Sequence, residues 1–188
     1  MSDDPALDAH EHAEHAEHAA HEANPFISRV SLTVAVLAVM AAAAGSLETV
    51  EGGRAITESS EAVLSQDKAT DAWNEYQADS LKRHIYDIAA DNGGAHAAGY
   101  KNDSDDQRAA QDKARKDAQD FEKERDTHIA LSYTHEERHH WLTGAATLIE
   151  IGIALSTVAI ITKKQSFWLG ALSLGVLGAA TFGYAFLI

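Results

Sequence analysis

The chain has 188 residues, no cysteine and a formal net charge of −14. That length is enough for about one domain. The missing thiols exclude disulfides and thiol catalysis, and the acidic balance excludes the basic footprint that nucleic-acid binding requires.

Charge and hydropathy are segregated along the chain. Residues 1–24 hold seven acids, five histidines and no lysine or arginine. His10, His12, His15, His18 and His21 recur at nearly three-residue spacing. That step walks around a helix and does not line one face. The composition is that of a solvated, flexible tail, with a divalent-metal tether as the functional alternative.

Asn24-Pro25 supplies a helix start, with Asn as N-cap and Pro in the first turn. Val30 to Leu47 then carries no charge. A helix of about 20 apolar residues crosses a bilayer core, so residues 25–47 read as a first transmembrane helix. Ala42-Ala43-Ala44 resembles a signal cleavage site, but an acidic leader and a long apolar run favour an uncleaved anchor.

Residues 48–140 hold 21 acids against 12 lysines and arginines and read as an extramembrane helical hairpin. Gly52-Gly53 is expected to hinge it from the membrane. A first helix should end at Asn92-Gly93-Gly94. A loop should cover His96 to Asp103, and Ser104-Asp105-Asp106-Gln107 has the form of a capping box that opens the second helix.

Ile56, Val63, Trp73, Tyr76 or Gln77, Leu81, Ile85 and Ile88 fall near one broad face of the first helix. Ala114, Ala118, Phe121, Arg125, His128, Ser132, His135 and His139 follow coiled-coil spacing on the second. Antiparallel pairing of these faces predicts Phe121 near Trp73, His128 near Asp67, and His135 near Glu58 and Glu61. Two helices with so thin an apolar seam are marginal alone, which predicts a homo-oligomer.

Residues 141–162 read as a second transmembrane helix with one charge, Glu150. Lys163-Lys164-Gln165 makes a short turn, and residues 165–188 form a third transmembrane helix. The fold class is therefore all-α: an integral membrane protein with three spans and a long extramembrane hairpin between the first and second. Arg29, Lys163 and Lys164 share one side, which positive-inside logic makes cytoplasmic. The N-terminus is then inside and the hairpin periplasmic.

The segment Lys68 to Tyr86 contains a W-x-x-Y-Q-A-x-S-x-K core formed by Trp73, Tyr76, Gln77, Ala78, Ser80 and Lys82. Placed between one span and two later ones, it resembles the bacterial membrane family of domain of unknown function 4337. The likeness runs from Pro25 onward and leaves out the His-rich tail. It implies a three-span protein of the bacterial inner membrane, with no activity and no catalytic residue to carry over.

Three constellations could carry chemistry. His135-Glu136-Glu137-Arg138-His139 matches the H-E-x-x-H zinc helix. Its two histidines sit one turn apart, and Glu136 stands where a general base would. No later ligand lies outside the membrane, and His and Glu are common nearby, so a chance match is the simpler reading. A non-catalytic zinc or other divalent-metal site would use His128, His135, His139, Glu58 and Glu61. Two E-x-x-H pairs, Glu136/His139 and Glu137/His140, have no second pair on another helix to complete a di-iron site.

Glu150 is the second constellation. An acid near the bilayer centre costs about 2.5–3.5 kcal/mol even on the lenient insertion scale. It should therefore face protein or an enclosed interior, as a packed neutral contact or as a carboxylate ring that passes cations or protons. The third is a small-residue ladder, Ala171, Gly175, Ala179 and Gly183, suited to close helix packing between protomers.

The expectation is a non-enzymatic, self-associating scaffold anchored in the lipid bilayer. An oligomeric cation or proton pathway at Glu150 is the first alternative, and a metal-binding protein the second.

Overall fold

The computed structural model describes residues 25–188 and is all-helical. The His-rich segment 1–24, with its proposed metal tether, and the Asn24 cap lie outside the described residues. Helix α1 runs Pro25–Asp91, α2 runs Ala97–Thr162 and α3 runs Gln165–Tyr184. Each contains a window long and apolar enough to cross a membrane.

The breaks fall where backbone chemistry demands them. After Asp91 the chain turns through Gly93 at φ 75° and Gly94 at φ 105°, a left-handed region that glycine enters without steric penalty. The Asn92 and Gly93 amides donate to the Ile88 and Ala90 carbonyls and close the end of α1. Between α2 and α3, Lys163 takes φ 55°, so a two-residue connection suffices.

Two sequence expectations are corrected. Gly52-Gly53 is not a hinge, because α1 is continuous through it. The Gly52 position instead faces His139, where an added Cβ would stand 3.2 Å from the ring nitrogen. Nor is Ser104 a helix cap: α2 begins at Ala97, within the expected loop. The Ala-rich start is a good helix former, and Lys101 pairs with Asp105 one turn on at 3.2 Å. The Ser104 hydroxyl is buried and donates across to Asp87.

The helices divide into two compact units. Among the described residues, one comprises residues 25–55 and Tyr133–Ile188, the other Ile56–Ser132. In the first, Val34, Leu37, Ala38, Ala41, Ile149 and Ile153 form the core, with Met40 packed against it. Glycines let α3 approach closely. A Cβ at Gly175 would meet Leu37 Cδ2 at 2.6 Å, and one at Gly178 would meet Ile149 Cγ1 at 2.6 Å. Trp168 donates its indole N–H to Thr33 Oγ1 at 3.1 Å, and Trp141 packs edge-on against Tyr184.

In the second unit the buried side chains are small or polar. From α1 come Ala62, Ser65, Ala69, Ala72 and Asp79; from α2, Ser104, Gln111, Ala114 and Ala118. The α2 seam read from the sequence is correct, since each of its eight residues is buried or half-buried. The α1 face is not. Ile56, Val63, Leu81, Ile85 and Ile88 are 56–71% exposed. Alanine and serine at three- and four-residue steps make the contact, because small residues let two backbones approach closely.

Candidate functional site

Polar side chains connect α1 and α2 in both units. Within Ile56–Ser132, Trp73 donates to Glu122 Oε1 at 2.9 Å, and Arg83 donates to Gln111 Oε1 at 2.9 Å. Arg125 donates to Gln66 Oε1. The Ser104 hydroxyl bond holds the Asp87 carboxyl below its ordinary value, and Lys101 and Arg83 assist by their charge. Asp79, almost fully buried, accepts from Lys82 Nζ at 2.9 Å. That bond and the Asp79 charge raise the Lys82 ammonium above its usual value.

The metal-site candidates separate. His128 Nδ1 lies 2.7 Å from Glu58 Oε2. The expected neighbour Asp67 is exposed instead. His135 Nδ1 lies 2.6 Å from Glu51 Oε2, both side chains being about seven-eighths buried. The sequence register assigns His135 to Glu58 and Glu61, but Glu58 is taken by His128 and Glu61 is exposed. The register was drawn through bulky residues that do not form the seam, so its error grew away from Trp73. At Trp73 the pairing stays close to the expected one, since its indole donates to Glu122, the neighbour of Phe121.

His139 Nδ1 donates to the Glu48 carbonyl at 3.1 Å. Both histidines of the H-E-x-x-H stretch thus hydrogen-bond across to α1 through Nδ1, and Glu136 is exposed. Among the described residues, no three His, Cys, Asp or Glu side chains converge as a metal ion would need.

Around His135 and His139 a polar layer is built that sequence reasoning missed. Arg54 Nη1 reaches Glu51 Oε1 at 3.1 Å, on the oxygen that His135 leaves free. Thr143 Oγ1 lies 2.7 Å from Glu48 Oε1. Glu48 and Glu51, one turn apart on α1, face His135, His139 and Thr143 on α2. The signal was available in the repeating acid and histidine steps, but it was assigned to the wrong acids.

Glu150 stands on the exposed face of α2. Its neighbour Ile149 is fully buried, and so is Ile153 three residues on. Among the described residues no hydrogen-bond or ion-pair partner meets its carboxyl. The same face carries exposed Thr143, Thr147, Ala154 and Thr157.

The α3 ladder is largely used within the chain. Ala171 and Gly175 are buried, Ala179 is half-buried and Gly183 is exposed. Gly178, outside the ladder, is buried with them. A Cβ at Gly152 of α2 would stand 3.2 Å from the Ala171 carbonyl. An apolar cleft of about 360 Å³ lies beside the ladder, lined among others by Leu32, Val36, Met40 and Val176.

No curated protein and no solved structure matches the chain. Residues 26–188, almost its whole length, match the model of the family described as Domain of unknown function (DUF4337), and the protein belongs to that family.

Proposed function

We propose that this protein is a non-enzymatic, membrane-anchored scaffold that self-associates. Its three apolar windows would span the bacterial inner membrane. The unit Ile56–Ser132 would stand outside the bilayer as a helical hairpin, on the periplasmic side, with Arg29, Lys163 and Lys164 on the cytoplasmic side.

The observation that carries the reading is the inverted face of α1, where Ile56, Val63, Leu64, Leu81, Ile85 and Ile88 are exposed while alanines are buried. Single exposed aliphatics are ordinary, but two groups of them on one helix, Ile56 to Leu64 and Leu81 to Ile88, mark an interaction surface. From Ile56 to Ile88 this face is roughly 50 Å long and about 10 Å wide, with exposed Asp67, Thr70, Asn74 and Gln77 between its two aliphatic ends. Two copies pairing along it would cover about 1,000 Å² in total, the threshold for a specific interface.

The test is native mass spectrometry in mild detergent, beside light scattering of wild type and the double variant Val63→Lys, Ile85→Lys. A wild-type oligomer that loses subunits in the variant supports the scaffold. A wild-type monomer at all concentrations overturns it.

A second reading, an oligomeric cation or proton pathway, is favoured by the exposed Glu150, whose carboxyl has no partner among the described residues. Under it, Glu150→Gln would abolish flux into liposomes and leave the assembly intact. A zinc-peptidase or metal-binding role has no comparable support.

A further inference from the structure

Glu150 poses a problem that the described residues of one copy do not solve. It lies in the apolar window of α2, and an acid at such depth faces protein or water and not acyl chains. Yet the face it occupies is exposed and its carboxyl meets no described group.

Rolling α2 to bring it inward is blocked. Ile149 and Ile153 on either side are locked in the core with Leu37 and Ala38. The close approach of Gly178 to Ile149 and to the Ala145 carbonyl leaves no slack. None of the three apolar runs contains a lysine or arginine to neutralise the charge. The partner must therefore offer a hydroxyl, a carbonyl or another carboxyl.

The face around Glu150 has the complement of its own needs. Thr147 and Thr157 donate their hydroxyls to the Thr143 and Ile153 carbonyls of their own helix, at 2.8 and 3.2 Å. Each hydroxyl oxygen keeps lone pairs free to accept. A neutral carboxyl supplies one donor and one acceptor. Ala154, one turn beyond Glu150, is small enough to let two backbones come close, as membrane helix pairs require. A surface with donor and acceptors a turn apart is self-complementary, the condition for a two-fold interface.

We propose that two copies meet along the Thr147, Glu150, Ala154 and Thr157 face of α2, with each Glu150 carboxyl hydrogen-bonded to its counterpart or to a threonine hydroxyl of the second copy. The inference rests on the self-association reading and adds to the α1 face a second contact, within the span. The α3 ladder is not this contact, since Ala171 and Gly175 already pack inside the chain.

The chain lacks cysteine, so single cysteines report the contact directly. A disulfide needs Cα atoms about 4.4–6.8 Å apart. Thr147→Cys and Ala154→Cys, oxidised in liposomes, should give covalent dimers in high yield. Val39→Cys and Val176→Cys, at positions 72% and 69% exposed on α1 and α3, should give several-fold less. Adding Glu150→Gln to Ala154→Cys should preserve the yield, because the amide keeps a donor and an acceptor. Adding Glu150→Leu should lower it several-fold.

Cross-linking at Val39 or Val176 but not at Ala154 overturns this contact and leaves self-association standing. Equal yields at all four positions mean random collision and overturn it too. An Ala154→Cys yield indifferent to Glu150→Leu removes Glu150 from the interface. No cross-link anywhere, with a monomer in native mass spectrometry, removes self-association and this contact together.

Discussion

Replacing Gly178 by alanine adds one methyl group at the tightest approach between α2 and α3. The new Cβ would fall 2.6 Å from Ile149 Cγ1 and 3.1 Å from the Ala145 carbonyl oxygen. Ile149 is fully buried, and its Cγ1 is the root of a side chain and not its tip. The carbonyl belongs to helical backbone. Neither can yield, so α3 must shift away from α2. Overpacking of this kind costs about 1–3 kcal/mol, and the better helix propensity of alanine returns up to about 1 kcal/mol. Net destabilisation of about 1–2 kcal/mol is expected.

Gly175→Ala separates sterics from propensity. Its Cβ would meet Leu37 Cδ2 at 2.6 Å, but the next contacts are at 3.7 Å. A terminal methyl can rotate away, so the two effects should cancel to within about 1 kcal/mol. At Gly183 nothing lies within 4 Å of an added Cβ, and alanine there should be neutral or slightly stabilising. Denaturation by sodium dodecyl sulfate in mixed micelles, followed by far-UV circular dichroism, should rank Gly183→Ala at or above wild type, Gly175→Ala close to it and Gly178→Ala clearly below. If Gly178→Ala is as stable as Gly183→Ala, the close approach of α3 to α2 is wrong.

Two further outcomes are expected. Ser104→Ala removes the hydroxyl that lowers the Asp87 carboxyl, so its titration, followed by carboxyl-carbon NMR, should move up toward the ordinary range. A carboxyl lowered by folding stabilises above its unfolded pKa and loses that contribution as pH falls through its folded value. The variant should therefore be less stable than wild type above the ordinary carboxylate range, with the difference closing as pH falls through the folded value of Asp87, and an unchanged Asp87 titration would remove the bond. Glu51→Ala strips hydrogen-bond partners from both His135 and Arg54 and should cost about 1–3 kcal/mol. His135→Ala leaves Glu51 with Arg54 and should cost less; the reverse order in chemical denaturation would contradict the polar layer.

The three apolar windows were legible because an uncharged run of span length has few other uses in a helical chain. The turn at Gly93 and Gly94 was legible as well, since positive φ selects glycine. Gly52 was misread because sequence does not distinguish a glycine kept for flexibility from one kept for contact; the His139 ring decides it. The α2 seam was found by spacing alone, and it begins with Ala114 and Ala118. On α1 the same search followed the bulky residues and selected the outer face, whereas Ala62, Ala69 and Ala72 make the contact. Every register that passed through that face inherited the error, which is why His135 was given Glu58 and Glu61 in place of Glu51. Glu150 could be flagged by depth and charge, but its direction depends on which side of α2 meets Leu37 and Gly178.

The alanine and serine interior of Ile56–Ser132 also sets how this unit answers to temperature. The heat-capacity change of unfolding follows the apolar area newly exposed to water, about 12–15 cal/mol/K per residue in ordinary globular proteins. Here the large aliphatic side chains of α1 already meet solvent in a single copy, and unfolding uncovers mostly methyl groups and polar atoms. A lone copy of the unit should therefore have a heat-capacity increment below that range and a flat stability curve. Its unfolding would be shallow in denaturant as well, because the denaturant slope follows the same exposed area. Covering the α1 face with a second chain would steepen both.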